Sequence, residues 1–175
     1  MDQSTSAEWQ HIVTETMTFE ESMPDRVLAL LAQLEDIVAG FAVDQLVHSL
    51  QTATRAEEAG ASTEVVVASL CHDLGKAISV MNHPRMAAEI LRPYVSEDTF
   101  HMVLFHQDFQ GRHYYEYIGL DPNSRQKHVG QPWYGLAEQF ADEWDQISFD
   151  PDYPTKPLSH FEPMVREVFG SSKKL

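Results

Sequence analysis

The chain has 175 residues, 43% of them apolar, and a net charge of −15, which predicts one folded domain with a substantial core. The acidity, with no basic run beyond Lys173-Lys174, argues against nucleic-acid binding. No apolar stretch approaches the roughly 20 residues of a membrane span, and the polar N-terminus lacks the basic residues of a targeting peptide, so we expect a soluble cytoplasmic protein with no membrane partner.

The chain order predicts three segments. Residues 1–20 are expected to form a loosely held N-terminal arm, 21–170 the domain itself, and 171–175 a frayed tail. At the start of the domain, Ser22 and Pro24 are typical of a helix cap and a first-turn proline. Apolar residues at spacings of three and four then predict a helix that ends at Gly40.

Two further helices are predicted before the middle of the chain. One runs from about Asp44 to Ala59, and Ser62 can cap the next. That third segment carries a run of valines at 65–67, which is also compatible with a strand. Its length between helix signals and its Ala and Leu content favour a buried helix.

The second half of the chain is also predicted to be helical. Helix-start signals lie at Pro84, Ser96, Asp121-Pro122 and Trp133. Three prolines in 149–158 indicate an extended loop, and the capping-box sequence Ser159-His160-Phe161-Glu162 predicts a last helix that ends at Phe169. The whole pattern predicts an all-α fold.

The segment VVVASLCHDLGK, residues 65–76, places His72 and Asp73 side by side at the end of a buried helix. Adjacent helical side chains diverge by about 100°. A carboxylate between two imidazole-bearing helices can therefore bridge two ions rather than chelate one. Imidazole and carboxylate ligands suit iron, manganese or zinc. Cys71, the single cysteine, is expected to be a small buried core residue.

Three more histidines and a late aspartate complete the candidate ligand set, namely His48, His83, His106 and Asp145. His48 and His106 follow apolar residues, and several buried histidines are costly unless a metal collects them. Any one of these side chains alone is more often a packed or surface residue than a ligand. Together with the adjacent pair, four imidazoles and two carboxylates exceed what one ion needs.

These candidate ligands resemble the pattern of the HD-domain superfamily over roughly residues 25–170. The resemblance implies a single HD-domain helical bundle with a dinuclear metal site in its core. The simplest members hold one metal with an H…HD…D pattern, and members with two metals add two histidines before the last Asp. In this sequence the first pattern is matched by His48, His72, Asp73 and Asp145, and the added histidines by His83 and His106.

The last aspartate of the pattern has two candidates. Asp145 follows Trp144, as in similar proteins, and is preferred. Asp142 lies three residues earlier on the same helix face and is the alternative ligand or a wall of the pocket.

Two strings, DQLVHSLQT at 44–52 and GASTEVVVASLCHDLGK at 60–76, resemble the mixed-valent di-iron organophosphonate dioxygenases. The resemblance implies two iron ions, Fe(II)/Fe(III), and O2-dependent cleavage of the C–P bond of a 1-hydroxy-2-aminoethylphosphonate. Lys76 falls at a substrate-contacting position of that family, and Ser124, in LDPNSR, matches a serine that holds the phosphonate. Lys76 and Asp73 are the residues expected to act in catalysis.

The function has two alternatives. Most proteins of the superfamily are metal-dependent phosphohydrolases, and variants of HDLGK occur in both groups, so a nucleotide phosphohydrolase is the second hypothesis. A regulatory module without turnover is the third, although the intact ligand set argues against it.

A phosphonate dianion requires positive charge in the pocket. Lys76 and Ser124, with one of Arg112 or Arg125, are the candidates for this role. For each arginine alone, plain surface charge is an equally good interpretation.

The amine end of the substrate is the other open point. In the glycine-forming members a Tyr and a Glu precede the first ligand histidine by about three and two helical turns, and Val38 and Phe41 align there. Neither side chain accepts a hydrogen bond, whereas a quaternary ammonium prefers aromatic faces and diffuse negative charge. Phe41 and Tyr115 are candidates for such faces and Asp142 for the charge, although core packing is the commoner role of an aromatic side chain.

The favoured substrate is therefore (R)-1-hydroxy-2-(trimethylamino)ethylphosphonate, cleaved to glycine betaine and phosphate. The alternative is 2-amino-1-hydroxyethylphosphonate, cleaved to glycine and phosphate. Five further aromatic residues lie near the ligand segments: Phe109, Tyr114, Tyr117, Trp133 and Trp144.

Overall fold

The computed structural model describes residues 1–170, and within that range the chain forms nine α-helices and no strand. The helices are α1 Ser6–Glu20, α2 Met23–Ala32, α3 Gln45–Glu58, α4 Thr63–Cys71, α5 His83–Leu91, α6 Glu97–Leu104, α7 His106–Gln110, α8 Tyr134–Gln139 and α9 Leu158–Phe169. Short 3₁₀ turns connect them, and one π-helical turn, Phe140–Asp145, continues α8. The predicted all-α class is confirmed. The tail predicted at 171–175 lies outside the described residues.

The central layer of the bundle is α4, packed against α3, α6 and α9. Ser62 and Asp44 begin α4 and α3 as predicted, since each side chain accepts a hydrogen bond from a backbone N–H three residues later. All side chains of α4 from Val65 to Cys71 are buried, which explains why its sequence shows no polar face. The valines at 65–67 are helical, as the length of the segment and its Ala and Leu content predicted.

The N-terminal segment forms helix α1, whose first turn is capped by its own side chains. Thr5 and Glu8 make a capping box, in which each side chain accepts a hydrogen bond from the backbone N–H of the other. None of the residues of α1 is buried, so this helix lends no side chain to the core. No helix among residues 1–170 is long and apolar enough to cross a bilayer.

The predicted helix from Ser22 to Gly40 is too long. α2 ends at Ala32, a 3₁₀ turn covers Gln33–Asp36, and the chain then leaves helical geometry. Ser22 does not cap α2, because its hydroxyl donates to the Phe19 carbonyl. The backbone reverses at Ala39 and Gly40, whose φ angles are 49° and 85°, before α3 begins.

Three other boundaries differ from the predictions. The helix expected at residues 121–127 is a 3₁₀ turn, Ser124–His128. The helix expected from Trp133 to Ile147 is α8 followed by the π-helical turn. The last helix begins at Leu158, with Pro157 in the cap position and no side-chain cap, so the capping-box sequence is not used.

Candidate metal centre

Four histidine rings converge in the interior, and the backbone sets the orientation of each. In every ring Nδ1 contacts a backbone carbonyl, which only accepts, so Nδ1 donates and Nε2 points inward, where its lone pair can bind a metal once any proton on it is displaced. The contacts are His48 to Ser148 at 2.9 Å, His72 to Ser69 at 2.8 Å, His83 to Val80 at 2.7 Å and His106 to Val103 at 2.8 Å. This is the tautomer that metal-binding histidines use.

The inward nitrogens form two pairs. Nε2 of His48 lies 3.1 Å from Nε2 of His72, and Nε2 of His83 lies 3.3 Å from Nε2 of His106. All four side chains are at most 2% exposed. Two lone pairs this close repel each other unless a cation lies between or beside them.

Asp73 lies between the two histidine pairs. Its Oδ2 is 3.4 Å from Nε2 of both His48 and His72. Its Oδ1 is 3.0 Å from Nε2 of His83 and 3.7 Å from that of His106. Oδ1 is buried and has no hydrogen-bond partner among the described residues. Each oxygen therefore faces a different pair, the arrangement expected of a carboxylate that bridges two ions.

Asp145 closes the first pair. Its Oδ1 lies 3.2 Å from Nε2 of His48 and 3.5 Å from that of His72, and its side chain is fully buried. Gln110 donates to the same oxygen at 3.0 Å. Asp142, the alternative ligand, turns away and accepts hydrogen bonds from other side chains. Of the two aspartates, only Asp145 contacts any of the four clustered histidines.

The pKa shifts of the clustered histidines and aspartates indicate that the centre of the cluster favours a positive charge. Burial opposes charge on His72, but the carboxylates of Asp73 and Asp145 outweigh it and raise the pKa of His72 to about 10. Burial likewise opposes the two carboxylates, and the neighbouring His72 charge lowers the pKa of each. Burial first and the His72 charge second lower the pKa of His106 to about 3. The carboxylates hold positive charge at the centre, and a bound metal ion can supply that charge in place of a proton.

The donor set also fits a transition metal by distance and type. Potential ligand atoms of His48, His72 and Asp145 lie within 4.8 Å of one another, and so do those of His72, Asp73 and His106. Imidazole nitrogen and carboxylate oxygen, with no thiolate, suit iron, manganese or zinc.

A cavity of about 510 Å³ opens beside this cluster. Its wall comes from the segment after α2, the start of α3, the turn after α4, α7 and the segment around Phe149. The lining residues are Ile37, Ala39, Phe41, Gln45, Lys76, Val80, His83, Gln107, Gln110, His113, Tyr114, Gln146 and Phe149. The Phe149 ring stacks on His48 at 4.1 Å, and Phe41 stacks on Phe149 at 4.4 Å, so aromatic side chains run from the pocket mouth to a candidate ligand.

Lys76 joins the pocket to the candidate bridge. Its ammonium lies 2.5 Å from Asp73 Oδ2 and 2.8 Å from the amide oxygen of Gln45. It is the one lysine or arginine among the described residues that line the cavity. Any anionic group that enters the pocket meets this charge.

The predicted phosphonate contacts are only partly placed at the pocket. Ser124, Arg112 and Arg125 are absent from its described lining. The Ser124 hydroxyl donates to the Asp121 carbonyl at 2.7 Å, so it serves a turn of its own loop. Arg112 is largely exposed, 3.8 Å from Asp142.

Arg125 is instead a buried ion-pair partner. Its guanidinium is bound by Asp142, at 3.0 and 3.1 Å, and by Glu138, at 3.2 Å. Both carboxylates come from α8 and the π-helical turn after it, and the linear sequence does not show that they meet the arginine. Asp142 is correspondingly occupied by Arg125 and His113, and its position differs from the predicted pocket wall.

Some of the predicted aromatic residues line the pocket and others do not. Phe41 and Tyr114 line the pocket, whereas Tyr115 does not and its ring covers Gly111. Three others, Phe109, Trp133 and Trp144, are buried in the core, and Tyr117 is 85% exposed.

Sequence reasoning missed nine of the thirteen lining residues, among them the four glutamines Gln45, Gln107, Gln110 and Gln146, and Phe149. Helical spacing was a usable signal for two of them, since Gln45 precedes His48 by three residues and Gln110 follows His106 by four. Phe149 lies in the proline-containing segment that connects to α9, where no periodicity points to a site.

The comparisons with known proteins agree with this geometry. The family model of the HD domain matches residues 46–148, a span that contains all six inward-facing side chains. A search of curated proteins finds no match. Since the matched span is more than half of the chain and carries the clustered histidines and aspartates, the protein belongs to the HD-domain family, whose members are generally metal-dependent enzymes.

Proposed function

We propose that the protein is a di-iron oxygenase that cleaves the C–P bond of 1-hydroxy-2-(trimethylamino)ethylphosphonate and releases glycine betaine and phosphate. The observation that carries the proposal is the position of Asp73, whose two oxygens face different histidine pairs at 3.0 to 3.7 Å. This arrangement supports two ions that share one carboxylate beneath a pocket of small-molecule size.

The proposed ligands form one set for each of the two ions. His48, His72 and Asp145 would hold one ion and His83 and His106 the other, with Asp73 between them. When bound, an Fe(II)/Fe(III) pair supplies a Lewis acid for the substrate oxygens and a redox centre for O2. The protein itself orients the substrate and excludes water.

The charge of the pocket supports a substrate with one anionic group. Lys76 is the single lysine or arginine of the described lining. A nucleoside triphosphate would place three linked phosphates against Lys76 and the two ions, whereas a phosphonate brings a single dianion, which that charge can match. The cavity volume of about 510 Å³ is ample for a substrate of this size.

The lining also supports a methylated amine. Phe41 and Tyr114 contribute aromatic rings to the wall, Phe149 is stacked between Phe41 and His48, and the described lining contains no carboxylate. A primary ammonium that leaves water is best matched by a carboxylate, and the lining offers it only neutral amide and phenol oxygens, while a trimethylammonium group is stabilised by aromatic faces. The balance favours the trimethylated substrate over its primary-amine counterpart.

The overall reaction balances without a reductant. The C–P and C1–H bonds break, C1 passes from alcohol to carboxylate, and O2 is reduced. The carboxylate gains one oxygen atom and the phosphonate gains one to become phosphate, so both atoms of O2 reach the products.

The competing function is a metal-dependent phosphohydrolase, which family membership favours. Oxygen dependence separates the two. With the iron-loaded protein and the trimethylated hydroxyphosphonate, we expect phosphate release in air and none under strict anaerobiosis. The primary-amine analogue should give a kcat/KM at least about tenfold lower, the ratio expected when one well-placed cation–π contact is lost.

Two results would contradict the proposal. Phosphate release from a nucleotide without O2 would establish the hydrolase instead. A clear preference for the primary amine would leave the oxygenase in place and remove the role of the aromatic wall.

A further inference from the structure

Gln45, the first residue of α3, has a fixed amide orientation. The side chain is 1% exposed, and its Oε1 accepts a hydrogen bond from Lys76 Nζ at 2.8 Å. An ammonium group only donates, so the amide oxygen must face Lys76 and the amide nitrogen must lie on the other side. The usual ambiguity between the two ends of a glutamine is therefore resolved here by chemistry.

The amide nitrogen of Gln45 is left without an acceptor. Nε2 is buried and has no hydrogen-bond partner among the described residues, although Gln45 belongs to the wall of the pocket. Gln51, on the same helix and also 1% exposed, has both amide atoms bonded to the backbone of Asp150. A buried donor without an acceptor is unfavourable, so its retention in a ligand pocket calls for an acceptor that arrives with the ligand.

We propose that Gln45 is a substrate-binding residue, whose amide N–H donates to an oxygen of the anionic group that Lys76 attracts. The inference rests on the proposed pocket but not on its oxygen chemistry. Lys76 and Gln45 then present adjacent donors to one tetrahedral oxyanion, a phosphonate or a phosphate. Because Nε2 is buried, the acceptor reaches it through a rearrangement of the surrounding pocket wall on binding.

The test uses inorganic phosphate as the probe and the iron-loaded full chain as the receptor, with binding measured by calorimetry. Gln45→Met removes both amide atoms at similar length. Gln45→Glu keeps an acceptor for Lys76 and replaces the donor with a carboxylate. We expect both variants to keep the wild-type iron content and to bind phosphate at least about tenfold more weakly, the loss typical of one charge-assisted hydrogen bond.

Gln51→Met is the matched control, since it removes an equally buried amide of the same helix that does not line the pocket. It should lower the Tm and leave the phosphate Kd within about twofold, because both of its bonds are structural.

Three outcomes would overturn the proposal. The first is no phosphate binding by the wild-type protein, and the second is equal binding by wild type and Gln45→Met. The third is wild-type binding by Gln45→Glu together with weak binding by Gln45→Met, which would mean that Gln45 acts only by holding Lys76. If both Gln45 variants bind phosphate more weakly than wild type, but the wild-type protein does not turn over the hydroxyphosphonate with O2, the role of Gln45 stands and the proposed reaction fails.

Discussion

At the residue scale, Asp73 is the side chain on which the candidate centre depends. Among residues 1–170, it is the carboxylate that contacts both histidine pairs, with one oxygen on each pair. We predict that Asp73→Asn reduces the iron content from the proposed two ions to fewer than one per chain, because the amide removes a negative charge from both proposed sites at once. Elemental analysis after reconstitution measures this directly.

The matched control is Asp142→Asn, since the Asp142 carboxylate binds Arg125 and His113 and faces none of the four clustered histidines. It should retain two ions. Two ions in Asp73→Asn, or loss of both in Asp142→Asn, would show that the ligands have been assigned to the wrong aspartates.

Arg125 provides a second prediction at this scale. Its guanidinium is 3% exposed and bonded to Asp142 and Glu138. Arg125→Ala leaves these carboxylates without their partner, so we expect the free energy of unfolding to fall by roughly 2 kcal/mol, less than for a fully buried pair. Urea denaturation measures the change.

The same variant separates a structural role from the anion-binding role that the sequence suggested. If Arg125 is structural, the phosphate Kd of Arg125→Ala stays within about twofold of wild type. Arg112→Ala, in contrast, should change stability by less than about 0.5 kcal/mol, because Arg112 is exposed. Unchanged stability with lost phosphate binding in Arg125→Ala would restore the original assignment.

The sequence was informative about the candidate ligands because each lies beside a helix signal or an apolar run. It was less informative about the pocket. Arg125 lies in the 3₁₀ turn Ser124–His128, and its partners come from α8 and the π-helical turn, 13 and 17 residues later in the chain. Phe149 reaches His48 across about a hundred residues, and no local pattern carries that contact.

At the scale of elements, the glycine of the HDLGK string has a steric cause. A Cβ at Gly75 would lie 2.5 Å from the carbonyl oxygen of His83, where α5 begins. The turn Leu74–Ala77 therefore approaches α5 more closely than any other residue type would permit. This close approach sets the distance between the Asp73 and His83 side chains.

We predict that Gly75→Ala displaces His83 and lowers the iron content from two ions towards one, with a loss of at least about 2 kcal/mol in unfolding free energy from overpacking. Metal analysis and thermal denaturation test this together. Gly135→Ala is the control, since Gly135 is exposed in α8 with nothing within 4 Å of an added Cβ. It should stabilise the protein by up to about 1 kcal/mol. Full iron loading of Gly75→Ala would refute this role for Gly75.

Helix boundaries show where sequence patterns are insufficient. The apolar spacing of α2 continues past Ala32, yet the chain turns at Ala39 and Gly40 and places Ile37 and Phe41 in the pocket wall. The Ile37 carbonyl accepts a hydrogen bond from the Gln45 N–H at the start of α3, a contact that the apolar spacing does not predict. The start of α3 was predicted correctly because Asp44 supplies a local cap.

At the scale of the whole molecule, the charged centre makes stability depend on pH. In chelated protein the raised pKa of His72, about 10 against an ordinary 6.5, favours folding below pH 6.5, and this contribution is lost as pH rises through about 10. The lowered pKa values of Asp73 and Asp145 favour folding above their ordinary value of 3.8, and that contribution is lost as pH falls below it.

Metal binding should therefore stabilise the protein more as pH rises. An ion that binds His72 must displace its proton, so we predict that the metal-induced increase in Tm grows from pH 5 to pH 8. Paired thermal scans of chelated and iron-loaded protein measure it. An increase that is independent of pH, with metal bound throughout, would mean that His72 is not a ligand.

The most direct test of the two-ion centre is a crystal structure of the iron-loaded protein with anomalous diffraction at the iron edge. We predict two anomalous peaks, one within ligand distance of His48, His72 and Asp145 and the other of His83 and His106, with Asp73 contributing one oxygen to each. A single peak, or two peaks of which Asp73 touches only one, would contradict the bridging arrangement and the chemistry proposed from it.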